Sequence, residues 1–176
     1  MWLGPAVTVL AAAVAMAGPP RETSLDATVE TSSGEPLHLA SLWNRPTVLF
    51  YEDRDSTTLN QHVKDALAAA GREGAMGEAV GVVAVAAVGE WNWFPARSFV
   101  LAAVRDLERK YRIRVYLDFA GSLARAPWNL PPRSSTVVLL DAGGAPRRSW
   151  RGKLSPDEVR TLLDEVGQLL AAPRPE

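Results

Sequence analysis

The stretch TVLFYEDRDSTTLNQHV, residues 47–63, decides how the rest of this chain is read. Thr47 to Tyr51 run without a charged residue and are β-branched, aliphatic or aromatic, the pattern of a strand covered on both faces. Glu52 to Ser56 form a polar loop, and Asp55 or Ser56 stands where a helix N-cap belongs. Leu59, Val63 and Leu67 then recur every four residues beside Ala66 and Ala70, an amphipathic stripe, with Gly71 placed as a C′ glycine. Strand, polar loop and helix in this order begin an α/β unit.

Working outward, Arg72 to Glu78 is a glycine-rich loop, and VGVVAVAAV, residues 80–88, reads as a central strand. A loop carrying Trp91 and Trp93 leads to Pro95 in the first turn of a second helix, whose stripe is Val100, Val104, Leu107 and Tyr111. Ile113, Val115 and Leu117 alternate with Arg114 and Tyr116, which predicts a strand with one wetter face. Phe119 to Arg133 is an irregular crossover holding Trp128 and Pro131-Pro132. Thr136 to Leu140 is a second buried strand, Asp141 to Gly144 a hairpin turn, and Pro146 to Trp150 an edge strand. Ser155-Pro156-Asp157-Glu158 is a capping box in front of a helix burying Val159, Leu162, Leu163, Val166, Leu169 and Leu170. Upstream, ATVET and LHL flank a turn at Ser32 to Pro36 as a short hairpin. The order predicts an α/β fold: a central mixed sheet with helices on both faces and an N-terminal β-hairpin.

Composition narrows the chemistry. The chain has 176 residues, 47% hydrophobic and 22% charged, which suits one folded domain. It has no cysteine and two histidines, His38 and His62. Disulfides, thiol catalysis, Fe–S clusters and thiolate zinc sites are therefore excluded. No metal or cofactor is assigned: two histidines argue against a His-only metal site while carboxylate sites stay open, and there is no phosphate loop, no nucleotide fingerprint and no Ser–His–Asp spacing. His62 reads as a surface or helix-face hydrogen-bonder, His38 as solvent-facing, and Trp128 and Trp150 as core or rim.

Residues 2–17, WLGPAVTVLAAAVAMA, carry no charge, and Ala15-Met16-Ala17 matches a signal-peptidase site ahead of Gly18-Pro19-Pro20. The reading is a signal peptide over 1–17, a linker over 18–26, a domain over 27–171 and a loose tail over 172–176, in an exported, periplasmic or extracytoplasmic protein with no stable membrane span after signal removal. The alternatives for the first segment are a short anchor or a buried helix; its n-region lacks Lys and Arg. The net charge of −1 gives no overall bias toward nucleic acid, yet residues 97–153 hold twelve basic and four acidic side chains, and residues 18–96 five basic and eleven acidic. Whether the basic residues share one face is not written in the sequence.

TVLFYEDRDSTTLNQHV, SSTVVLLDAGGAPRRSW and GKLSPDEVRTLLDEV together resemble the thioredoxin-like fold of peroxiredoxin- and thiol-reductase-like exported proteins. The pairing of DRD, Trp93-Phe94, SSTVVLLD and GKLSPDEV is similar, more narrowly, to YtfJ-type periplasmic proteins, which have that fold and no established activity. The resemblance implies a three-layer sandwich with its site at the loop after residue 52. At that loop Asp55-Ser56-Thr57-Thr58 fills the family's Cys-x-x-Cys positions. In the peroxiredoxin register Asp53 replaces the proline, Thr57 matches the threonine and Asn60 replaces the cysteine. The family's cis-proline position falls on Ser135. Thiol–disulfide exchange and peroxide reduction need a thiolate, which no register supplies.

Two functions remain open. One is a non-catalytic binding or accessory protein of the cell envelope, its candidate binding loop comprising Asp53, Arg54, Asp55, Thr57, Asn60, Trp91, Trp93 and Ser135, its partner another envelope protein. Tryptophans in such loops are common interface anchors; packing over the sheet edge is the plainer role. The alternative is an enzyme or metal-binding protein using the carboxylates of Asp53 and Asp55. Against it, acidic residues ahead of a helix cap it and complement its positive end.

Overall fold

The computed structural model describes residues 24–72 and 77–172. The signal-peptide segment, most of the 18–26 linker and the last four residues of the chain lie outside the described residues. Seven strands form one sheet: β1 (Thr28–Glu30), β2 (Pro36–His38), β3 (Thr47–Glu52), β4 (Gly81–Ala87), β5 (Val115–Asp118), β6 (Thr136–Leu140) and β7 (Pro146–Arg151). Their order is β2-β1-β5-β4-β3-β6-β7. The trio β5-β4-β3 is parallel and every other pairing is antiparallel. Three helices follow β3, β4 and β7: α1 (Gln61–Arg72), α2 (Ala96–Tyr111) and α3 (Pro156–Ala171).

Register decides which side chains meet. Val48, Phe50 and Glu52 of β3 lie on the same face as Ala84 and Ala86 of β4, Leu117 of β5 and Val137 and Leu139 of β6. Val63 and Leu67 of α1 pack there with Leu162 and Val166 of α3, and Val104 of α2 packs beside them on Leu117 and Phe119. The other face carries Leu49, Tyr51, Val83, Val85, Tyr116, Val138 and Leu140. Its cover is lighter: a 3-10 turn at Leu39–Leu42, Trp43, and Leu123, Trp128 and Leu130 of the crossover. Each fully buried aliphatic side chain contributes about 1.5–3 kcal/mol of hydrophobic stabilisation.

On that second face Tyr51 donates to Asp118 (3.2 Å), whose carboxylate also accepts from the backbone N–H of Ser122 (2.7 Å) and Leu123 (3.0 Å). Burial first, and then the Asp118 charge, push the Tyr51 hydroxyl far above its ordinary value of 10.0. Its neutral form is favoured in the folded state, so stability is intact below pH 10 and declines as the pH rises, because the unfolded tyrosine ionises first. Tyr51→Phe is expected to shallow the alkaline limb of a stability–pH curve above about pH 10. An unchanged limb in urea titrations would rule out this origin; Tyr116, also raised by burial, leaves a residual slope.

Four sequence expectations are corrected. The first helix starts at Gln61, not beside Asp55 or Ser56, and Leu59 is 38% exposed. The reason is a reciprocal turn: Asp53 Oδ1 accepts from the Ser56 N–H (2.9 Å) and Asp53 N–H donates to Ser56 Oγ (3.0 Å). These bonds hold residues 53–56 as a turn preceding the helix. Gly71 is inside α1, which continues to Arg72. In α2 the buried side is Ala96 and Val104 with Val100 and Leu101, whereas Leu107 and Tyr111 are 45% and 57% exposed. Steps of four residues rotate about 40° around a helix, so the stripe from Val100 leaves the core by its last members. Finally, β5 has no wet face. Leu117 is covered by α2 and Tyr116 by the opposite cluster, while Ile113 precedes the strand and is exposed.

Candidate functional site: a loop edge without thiols

The parallel strands β3 and β4 both end at one edge of the sheet. The loop after β3 (residues 53–60), the loop after β4 (residues 88–95) and Ser134-Ser135 before β6 are gathered there, because Tyr51 of β3 pairs with Thr136 of β6 and Glu52 with Ala86. In open α/β sheets this carboxyl edge is where ligand sites form.

Beneath the loop surface lies a polar cluster. Alternation along TVLFYE turns Glu52 to the same face as Val48 and Phe50, toward α1, and it is 5% exposed. Lys64, one turn into α1, donates to Glu52 Oε2 at 2.6 Å and to the Thr57 carbonyl at 2.9 Å. Its ammonium also sits 5.2 Å from the Phe50 ring centroid. Ser135 donates to Glu52 Oε1 (2.9 Å) and accepts from Asn60 Nδ2 (2.8 Å). The same Asn60 amide donates to the Gly152 carbonyl (2.7 Å), and Asn60 Oδ1 accepts from the Leu154 N–H (2.9 Å). Asn60 and Ser135 are 0% exposed. The cluster ties the start of α1, the end of β3, the start of β6 and the segment after β7 together, and its hydrogen-bonding groups satisfy one another.

The candidate residues therefore separate. Asn60 and Ser135 meet in the structure, but below the surface, where they hold the loop and cannot touch a partner. Asp53 is engaged by Ser56, whose hydroxyl also donates to it (2.5 Å). Arg54, Asp55 and Thr57 are exposed on the loop, and Thr57 Oγ1 donates to the Arg54 carbonyl (3.3 Å). Trp91 is half-buried and Trp93 is 57% exposed. Two peptide bonds are cis, Phe94–Pro95 and Ala126–Pro127; neither lies at Ser135. Among the described residues, no three His, Asp or Glu side chains converge as a metal site.

Two features escaped the sequence reading. Lys64 was hidden as a routine helix charge; the signal was its position four residues after Asn60 and Glu52's place on the inward register of an apolar strand. Phe94 and Phe99 were also missed. They are 87% and 70% exposed and, with Trp93, put three exposed aromatic side chains, an aromatic ledge, within seven residues at the start of α2. Arg97, in the same turn, lies 4.2 Å from the Phe119 ring centroid, forms an ion pair with Glu30 and donates to Asn92 Oδ1 (2.9 Å), which fixes the ledge to the sheet.

No protein-family model matches the chain. Among curated proteins, the uncharacterized protein YtfJ of Escherichia coli (strain K12) is 29% identical over 72 residues, a stretch that covers 41% of this chain and 39% of that protein. The matched stretch thus spans about two fifths of the relative's length. Among solved structures, the pneumococcal exposed lipoprotein thioredoxin Etrx1 of Streptococcus pneumoniae is 16% identical, with 80% of this chain and 99% of that chain covered at a TM-score of 0.54. Peroxidoxin BcpB of Mycobacterium tuberculosis is 19% identical, with 87% and 96% covered at a TM-score of 0.53. Likenesses at such identities show the fold. Strand order, the loop edge and these likenesses agree that this chain has a thioredoxin-like fold, built without a single cysteine.

Proposed function

We propose that this chain is an exported thioredoxin-fold protein that works by binding another protein of the cell envelope through its loop edge. One observation carries the reading. At the carboxyl edge of β3 and β4 the buried polar groups Glu52, Asn60 and Ser135 are paired with each other, while Trp93, Phe94 and Phe99 stand exposed. Exposed clustered aromatics lose water on association and are the residues most often found as binding anchors. Export is supported by the uncharged run at residues 2–17 with its Ala15-Met16-Ala17 site, outside the described residues; no helix among the described residues is long and apolar enough to cross a membrane.

The test is capture by crosslinking in the intact envelope, parent beside a Trp93→Ala/Phe94→Ala variant with an unchanged melting curve. Loss of about 2 kcal/mol per anchor corresponds to roughly thirtyfold weaker capture for each. A partner held equally by both forms sinks the assignment. The N-terminal residue of the protein recovered from that fraction is expected to be Gly18; an intact Met1 overturns the cleavage.

A further inference from the structure

The end of the domain opposite the loop edge has its own chemistry. We propose that it is a docking surface for an anionic phospholipid bilayer. The inference takes the exported setting from the preceding reading and stands on residues that reading does not use. This pole is where β3, β4 and β5 begin and where α1 and α2 end, about 24 Å from the aromatic ledge along the 16 residues of α2.

Residues 105–114 read RDLERKYRIR, five cations with two carboxylates. α2 ends at Tyr111, and Arg112 adopts a left-handed conformation (φ 53°) that turns the chain back toward β5. The turn presents Tyr111 and Ile113, 57% and 52% exposed, between Lys110, Arg112 and Arg114. Leu107 and Val82 are 45% and 56% exposed behind them. The Lys110 ammonium lies 5.0 Å from the Tyr111 ring centroid.

The neighbouring carboxylates are occupied. Asp106 pairs with Arg109, and Glu108 accepts from Ser32 Oγ (2.5 Å) and from the Val115 N–H (2.9 Å). Lys110, Arg112 and Arg114 form no salt bridge among the described residues. A groove of about 830 Å³ opens beside them between the β1–β2 turn and α2, but its three arginines, Arg105, Arg109 and Arg114, are balanced by Glu35, Asp106 and Glu108. The charge beyond that balance, Lys110 and Arg112, sits outside the groove, on the turn.

Cations alternating with exposed apolar side chains suit a membrane interface. The apolar groups enter the headgroup boundary while the long basic side chains reach lipid phosphates. A second copy of this chain would set Lys110, Arg112 and Arg114 against their own kind. A nucleic-acid backbone would satisfy the charges and leave Tyr111, Ile113, Leu107 and Val82 in water. The chain's path agrees: Leu25 N–H donates to the Gly144 carbonyl (3.0 Å) in the β6–β7 turn, at this same pole. Only residues 18–23, at most about 20 Å when extended, separate Ser24 from the uncharged segment 2–17. In the uncleaved precursor this pole is therefore the end of the domain held within that distance of the apolar segment.

The experiment is vesicle flotation with the protein purified from the envelope, using phosphatidylcholine vesicles with and without phosphatidylglycerol. Binding is expected only with phosphatidylglycerol present, and is expected to weaken as salt is raised. A Lys110→Gln/Arg112→Asn/Arg114→Gln variant, with asparagine chosen to tolerate the left-handed turn, is expected to bind roughly a hundredfold more weakly. A Tyr111→Ser/Ile113→Ser variant is expected to lose roughly tenfold. Both should melt as the parent does and keep partner capture at the loop edge, so failure here and failure of the binding reading are separable. Equal binding to both vesicle types, no binding to either, or full binding by the charge variant overturns the proposal. So does binding of a DNA duplex that falls with the charge variant while vesicle binding does not.

Discussion

Asn60→Ala is expected to lower the free energy of unfolding by roughly 3–5 kcal/mol, a large share of what a single domain has. The side chain is fully buried and makes three hydrogen bonds, to Ser135 Oγ, to the Gly152 carbonyl and from the Leu154 N–H. Alanine deletes all three and leaves the Gly152 carbonyl and the Leu154 N–H without that partner beneath the surface; an unsatisfied buried group costs about 1–3 kcal/mol. Ser135→Ala removes two bonds, one shared with Asn60, and should cost less. Urea unfolding followed by circular dichroism measures both. A loss below about 1 kcal/mol for Asn60→Ala would mean that water replaces the amide, and that the cluster is not what holds the loop edge.

Gly144→Ala has the second large effect, from a different cause. Gly144 sits at φ +81° in the β6–β7 turn, where an added Cβ would come within 2.1 Å of Trp43 Cδ1. The left-handed conformation costs about 1–2 kcal/mol for a side chain, and displacing a packed indole adds a cost of similar size. The expected loss is roughly 2–4 kcal/mol, or a melting point lower by about 5–15 °C in a domain of this length. Trp43 cannot move alone: its Nε1 donates to the Leu25 carbonyl (2.7 Å), and the Leu25 N–H donates to Gly144 itself (3.0 Å). Trp43→Phe, which removes the indole N–H and shrinks the ring, should soften the penalty in the double variant. Strict additivity of the two would rule out the clash as the cause.

The fold was largely legible because its strongest signals are local. The unbroken apolar runs of β3, β4 and β6, the Gly143-Gly144 turn and the capping box at Ser155 each depend on a few adjacent residues. In the structure the Ser155 side chain accepts from the Glu158 N–H and Glu158 reaches back to the Ser155 N–H (2.7 Å), which holds the Glu158 carboxyl below its ordinary value. The site was less legible because it is made by distant contacts. Asn60 meets Gly152 and Leu154 across more than ninety residues, and Glu52 meets Ser135 across 83. No periodicity reports such pairings. The start of α1 differs from expectation for a related reason: Ser56, which with Asp55 has the chemistry of an N-cap, is bound instead to Asp53 in a turn ahead of the helix. Leu107 and Tyr111 fit a helical stripe by spacing, and only the position of α2 over β5 shows that the stripe runs off the core.

The two margins of the sheet restrict how anything can attach to it. One margin is β2, three residues long and opened by Pro36, which has no N–H to offer. The other is β7, where Arg147, Arg148 and Arg151 crowd a six-residue strand that also begins with proline. A short margin and a heavily cationic one are both poor templates for another chain's backbone. A partner that extends the sheet by lending a strand is thereby disfavoured, and so is open-ended stacking of copies into fibres. Whatever meets this domain must recognise it by side chains, which leaves discrimination between partners to a few exposed rings and charges.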